Sequence, residues 1–187
     1  MKEKPSDFGG LCFSRIVIVG ANEAGKTWLA HRIAAGRSIS VIGKDGLALL
    51  TSWQQRSRPG VRAALRNAIT SDRWILEGGP SILQPEVLAR AKCVVWLDLP
   101  AGLRFRRILW RSLRYIGRTR PEHPPGNRDW PGRRQWRFAW GAISKDAAHR
   151  EWIQTALADP PIPVIRLRTP SEVRRFLDRQ SRSAGYP

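Results

Sequence analysis

Two periods of hydrophobic residues alternate along this chain. Short unbroken apolar runs rich in β-branched or aromatic residues, Ile16-Val17-Ile18-Val19, Trp74-Ile75-Leu76 and Cys93-Val94-Val95-Trp96-Leu97, read as strands buried on both faces. Between them the apolar positions spread to helical spacing. The pattern predicts strands at about 15–19, 38–42, 74–76, 93–97 and 163–167. A first helix should run from Lys26 to about Ala35 and stop at Gly36, a natural residue just past a helix end. Leu47, Leu50, Val61, Leu65 and Ile69 mark a helical region broken near Pro59-Gly60, and a short helix should begin near Pro85. Thr169-Pro170-Ser171-Glu172 has the residues of a capping box with proline at the first helical position, so it should open the last helix. Strands alternating with helices predict an α/β fold with a parallel sheet covered on its faces. Ligands in such sheets sit beyond the carboxyl ends of the strands. Residues 20–27, Lys44 and Asp45, Glu77 and Gly78, and the segment after Asp98 should therefore meet at one cleft.

The first strand gives way directly to Gly20-Ala21-Asn22-Glu23-Ala24-Gly25-Lys26-Thr27, a complete G-x-x-x-x-G-K-[ST] loop. Glycines let such a loop curl until successive backbone N–H groups point at phosphate oxygens. The helix that follows adds the positive end of its dipole. Lys26 supplies a point charge near the outer phosphates, and the Thr27 hydroxyl can hold Mg²⁺. Residues 20–28 are thus the candidate nucleotide-binding set, with ATP and Mg²⁺ as the expected ligands.

Length and composition add little constraint. At 187 residues and 42% hydrophobic content, a single domain over 1–187 suffices, with 1–13 expected to be a flexible start. Cys12 and Cys93 form no C-x-x-C, so core packing suits them better than a disulfide or zinc site. The apolar runs fall short of the ~20 residues that span a bilayer. The start, Met1-Lys2-Glu3-Lys4-Pro5-Ser6-Asp7, has no signal-peptide core, and the expected location is cytoplasmic. His31, His123 and His149 lack metal spacing and read as structural or solvated.

Charge changes the picture more. Thirty-three basic residues against fifteen acidic give a net +18, which attracts polyanions. Eleven arginines against two carboxylates fall within 104–137 and none of the bases there is lysine, which suits a bidentate phosphate clamp. Overall arginine usage, with only six lysines in the chain, accounts for part of this density. Arg107 and Arg111 share a helix face at i, i+4, and Arg114 and Arg118 continue that spacing. Four prolines between 118 and 131 then break the helix, so about 110–132 reads as a lid. Nine tryptophans raise the possibility of base stacking on nucleic acid. Trp28, Trp74 and Trp96 lie on or beside core elements, however, and Trp136, Trp140 and Trp152 at helical spacing, which favours packing for these six.

Taken together, the strand and G-x-x-x-x-G-K-T loop, Asp45 after the second strand, Trp74-Ile75-Leu76-Glu77-Gly78, and Val94-Val95-Trp96-Leu97-Asp98-Leu99-Pro100 before an arginine-spaced helix resemble the adenylate-kinase-like P-loop kinases. More narrowly, Leu113-Arg114-Tyr115-Ile116-Gly117-Arg118-Thr119-Arg120-Pro121, Val164-Ile165-Arg166-Leu167-Arg168 and Val173-Arg174-Arg175-Phe176-Leu177 are similar to the DNA topology modulation, or flagellar-regulator, family of that superfamily. The resemblance spans about 15–179. It implies a three-layer P-loop NTPase fold with a five-stranded parallel sheet, ATP at the loop and an arginine-rich lid. It also implies that Glu77 serves Mg²⁺ through water, and that Arg107 and Arg111 flank the nucleotide. Asn22 and Glu23 depart from the usual glycine-rich loop, Trp28 stands where a hydroxyl is common, and Glu77-Gly78-Gly79-Pro80 replaces an aspartate-led motif.

Asp45 can orient an acceptor hydroxyl or accept its proton; Lys44-Asp45-Gly46 equally suits a turn in which Asp45 caps a helix. Asp98 is expected to cap the helix after it. The expected function is phosphoryl transfer from Mg·ATP to a small-molecule or nucleotide acceptor, with Lys26, Asp45, Arg107, Arg111, Arg114 and Arg118 as the catalytic set. The alternatives are an ATP-dependent nucleic-acid-binding regulator and a nucleotide-binding module without turnover.

Overall fold

The computed structural model describes residues 14–50, 54–117, 140–141, 144–160 and 162–183, without the side chains of 111, 112 and 181–183. In chain order the elements are β1 (Arg15–Gly20), α1 (Lys26–Ala34), β2 (Ser40–Gly43), α2 (Lys44–Ala48), α3 (Arg58–Ala68) and β3 (Trp74–Gly78). A 3₁₀ turn (Pro80–Ile82) and α4 (Pro85–Arg90) precede β4 (Cys93–Leu97) and α5 (Ala101–Arg114). Beyond them lie α6 (Asp146–Ala156), β5 (Val164–Leu167) and α7 (Pro170–Ser183).

The five strands form one parallel sheet in the order β2-β3-β1-β4-β5. Helical crossovers are what allow consecutive strands to run parallel. β1 lies at the centre, with Val17 opposite Leu76 on β3 and Val94 on β4. Its side chains alternate between two cores. Ile16 and Ile18 face α1 and α7, packing in one cluster with Leu29, Ile33, Val173 and Phe176. Val17 and Val19 face the other way, clustering with Leu65 of α3, Val87 of α4 and Ile153 of α6. Each such fully buried aliphatic side chain contributes roughly 1.5–3 kcal/mol of hydrophobic stabilisation. The result is three layers with β1 covered on both faces, as its unbroken apolar run requires.

Four expectations change. The break in the helical region lies before Pro59, where Leu49 bridges Gln55 after α2. Pro59 instead sits in the first turn of α3, where its missing N–H costs nothing, and the Ser57 hydroxyl caps that turn by accepting from the Gly60 N–H at 3.3 Å. β2 forms at Ser40–Gly43, later than its apolar pattern suggested. Among the tryptophans, Trp74 and Trp96 are core, but Trp28, Trp140 and Trp152 are exposed. Leu29, Ala30 and Ile33 take the buried side of α1, which leaves Trp28 outside. The box opening α7 forms with a shift: the Thr169 hydroxyl accepts from the Glu172 N–H at 3.2 Å, while the Glu172 carboxylate takes the Arg168 N–H at 2.6 Å, one residue before the cap.

Candidate active site at the head of the first helix

The site is built where β1 ends. Gly20 passes so close to β4 that a Cβ there would lie 2.6 Å from the Leu97 carbonyl oxygen. The chain then turns through residues 21–25 with Glu23 at φ 60° and Gly25 at φ 92°, both left-handed. Glycine takes this conformation freely, whereas Glu23 holds it at a cost of about 1 kcal/mol or more. α1 starts at Lys26 without an acidic residue in its first turn, so the positive end of its dipole faces the loop.

Four consecutive loop carbonyls are held by cationic side chains. Lys26 Nζ donates to the Ala21 oxygen at 2.9 Å, Arg104 Nη1 to Asn22 at 3.3 Å, and Arg107 Nη1 to Glu23 and Ala24 at 3.2 and 3.1 Å. With its carbonyls engaged in this way, the loop keeps one curl, which is the preorganisation an anion cradle needs.

On the β3 side, the Thr27 hydroxyl donates to Glu77 Oε1 at 3.0 Å, two residues brought together because β1 and β3 are neighbours. Glu77 is largely buried. β2 ends beside it at Gly43, where a Cβ would stand 3.1 Å from Glu77 Oε1. Lys44 Nζ donates to the Ser81 hydroxyl, tying the start of α2 to the 3₁₀ turn. Among the described residues no group of three or more His, Cys, Asp or Glu could hold a metal on its own. The oxygen donors of Thr27 and Glu77 nevertheless fit Mg²⁺, an ion that keeps several waters and is completed by phosphate oxygens. Asp45 lies in the first turn of α2, exposed, and its side chain makes no cap hydrogen bond.

The α5 side is held by ion pairs. Arg104, 2% exposed, donates to the Leu99 carbonyl at 3.2 Å and pairs with Asp146 of α6. Arg150 reaches from Asp146 at 3.7 Å to Asp98 at 2.9 Å. Asp98 also accepts from Arg166, whose guanidinium lies 4.1 Å from the centre of the Trp96 ring. Asp98 is therefore an ion-pair hub and not the expected helix cap. Burial lowers the pKa of Arg107, partly opposed by the nearby Glu23 carboxylate. His149, expected to be structural or solvated, stands close enough to the loop to feel it: burial lowers its pKa, Asp146 opposes this, and Lys145, Arg104 and Lys26 lower it further.

A groove of about 1090 Å³ leaves the loop between α1 and α7, bounded by Glu23, Gly25, Trp28, Arg107, Pro170 and Val173 among others.

The structure thus brings residues 20–27, Glu77 and Arg107 together, with Trp28 on the groove wall. Arg114 is exposed at the end of α5. The Arg111 side chain, Arg118 and most of the expected lid lie outside the described residues. Arg104, Gly43 and His149 were not anticipated. Arg104 precedes Arg107 by three residues and so shares its face, a signal that was present but not distinctive.

No protein-family model matches the chain, and comparison with curated proteins gives no match. Among solved structures it is similar to a shikimate kinase from Acinetobacter baumannii in complex with shikimate, with 19% identity, coverage of 90% of both chains and a TM-score of 0.50. It is equally similar to a shikimate kinase from Bacteroides thetaiotaomicron, at 19% identity and TM-score 0.50, covering 90% of this chain and 97% of that one. These likenesses and the sheet order define the class: an α/β, three-layer P-loop NTPase fold with a five-stranded parallel sheet. No described helix is long and apolar enough to cross a membrane.

Proposed function

We propose that this chain is a phosphotransferase that moves the γ-phosphoryl group of Mg·ATP to a small-molecule hydroxyl or a nucleotide. The observation that carries the reading is the Thr27 to Glu77 hydrogen bond at the head of α1, beside a loop with four consecutive carbonyls engaged by cations. A hydroxyl, a buried carboxylate, a lysine and a helix N-terminus in one place are the parts that triphosphate binding needs. Bound Mg²⁺ would neutralise charge on the phosphates. In this reading the loop amides and Lys26 hold the triphosphate, Thr27 and Glu77 orient the metal's oxygen shell, and Arg107 steadies the loop. Asp45 orients the acceptor hydroxyl, and Arg111, Arg114 and Arg118 meet the transferred group. Catalysis is then positioning and electrostatic stabilisation. The fold neighbours include shikimate kinases, which makes a hydroxylated carboxylic acid a sensible first acceptor to try. The narrower kinship with the DNA topology modulation family rests on the sequence motifs alone.

Transfer of labelled phosphate from ATP to a panel of polyols, hydroxy acids and nucleotides tests the proposal. Transfer to at least one acceptor is expected; ATP binding without transfer or hydrolysis across the panel would favour the module without turnover. Exposed Trp110, Trp140 and Trp152 on a chain of net charge +18 support a second reading, a nucleic-acid partner. In that case affinity for single-stranded DNA should fall steeply with salt.

A further inference from the structure

We infer that Trp28 is a stacking platform for the base of the bound nucleotide; the inference rests on the triphosphate reading above and adds the part of the ligand that reading leaves unplaced. An indole directly after Lys26-Thr27 would be expected to pack inward, yet Trp28 is 52% exposed. The core side of α1 is already filled by Leu29, Ala30 and Ile33. Trp28 therefore shares the outer stripe with Arg32, one turn on, whose guanidinium lies over the indole at 5.7 Å from the ring centre. A cation on a ring is attracted by its quadrupole and restricts its rotamers, so the indole is ordered before any ligand arrives.

The position of the ring points to its ligand. Trp28 forms part of the wall of the groove that begins at Glu23, Ala24 and Gly25, the loop that would hold the phosphates. Pro170 and Val173 of α7 form the opposite wall. A triphosphate lying on the loop with its outer end toward Thr27 and Glu77 has to send its ribose and base out along this groove. The groove offers an aromatic face, apolar side chains and the arginines 32, 107 and 174. This is the chemistry that receives a planar, electron-rich base attached to an anion. Stacking reads the π face and not the pattern of donors and acceptors, so the site should accept all four nucleoside triphosphates. Purines, with the larger ring area, should bind more tightly than pyrimidines.

The test is calorimetric titration of native, Trp28→Leu and Trp28→Phe protein with Mg·ATP and with Mg·tripolyphosphate, which has phosphates but no base. Leucine keeps an apolar side chain and removes the aromatic ring, and phenylalanine restores a smaller one. Trp28→Leu should lose on the order of tenfold in ATP affinity, leave tripolyphosphate affinity unchanged, and be largely rescued in Trp28→Phe. The substitution lies on the exposed stripe, and an unchanged melting temperature verifies that the fold survives. If native protein binds both ligands and Trp28→Leu weakens neither, or weakens both equally, stacking is overturned while the triphosphate site stands. If native protein binds neither, the triphosphate reading fails and the inference fails with it.

Discussion

The two flanks of the loop between β1 and α1 are built from opposite chemistry. Toward β3 stand a hydroxyl and a buried carboxylate, Thr27 and Glu77, which suit a metal and its water. Toward α5 stand Arg104 and Arg107, both bonded to loop carbonyls. Arginines close to a phosphate site are readily taken as phosphate ligands, but these two spend hydrogen bonds on the loop itself. The contrast teaches that charge density along a sequence does not separate residues that shape a site from residues that meet its ligand. On this chain the first turns of α5 serve the scaffold.

The comparison is broken most forcefully at Arg104. Removing it by Arg104→Ala leaves Asp146 without its buried partner and the Asn22 carbonyl unheld, and the expected loss is about 3–5 kcal/mol of folding stability. Chemical denaturation measures it; a loss below about 1 kcal/mol would mean that the network does not brace the loop. On the other flank, Glu77→Gln should leave stability nearly intact while lowering Mg²⁺-dependent phosphoryl transfer by about 10- to 100-fold, the usual scale for an outer-shell metal partner. A Mg²⁺ titration of initial rate checks this, and an unchanged curve would remove Glu77 from the site.

Glu23→Gly sharpens the comparison with a smaller effect of opposite sign. Glycine relieves the left-handed strain at φ 60° and removes a carboxylate from beside the proposed phosphate site. ATP affinity should rise several-fold, about 1 kcal/mol or less; a fall would mean that the Glu23 carboxylate is needed beside Arg107.

The smallest effect is that of pH at His149. Its folded pKa is lowered from 6.5, chiefly by burial, so the unfolded chain binds the extra proton first. Between that lowered value and 6.5 stability should therefore fall as pH falls, and His149→Asn should flatten the slope. Melting temperatures across pH 5 to 7.5 report it, and identical profiles for the two proteins would contradict the assignment.

What the sequence made legible was local. The loop motif, the apolar run before it and the cap residues of α7 are contiguous, so their physics is contained in a few neighbours. Glu77 was legible because it lies at the carboxyl end of a strand, where ligands of such sheets sit. Asp98 was misread because its partners, Arg150 and Arg166, lie 52 and 68 residues away. A carboxylate before Leu99-Pro100 looks like a cap until those guanidinia arrive. Trp28 was misread for a related reason: helical spacing assigns a residue to a face, but only the sheet beneath α1 decides which face is buried. The break at Pro59 failed on position, since proline ends a helix in its interior and starts one in its first turn.

Titration of Mg·ATP into native protein and into Lys26→Ala, each verified as folded by its melting temperature, tests most directly whether the loop at the head of α1 is a triphosphate site. Lys26 lies half-buried at the start of its helix and belongs to neither core, so the variant should fold normally. Saturable binding to the native protein that is lost in Lys26→Ala is the predicted result. Equal binding by both, or none by the folded native protein, would contradict it.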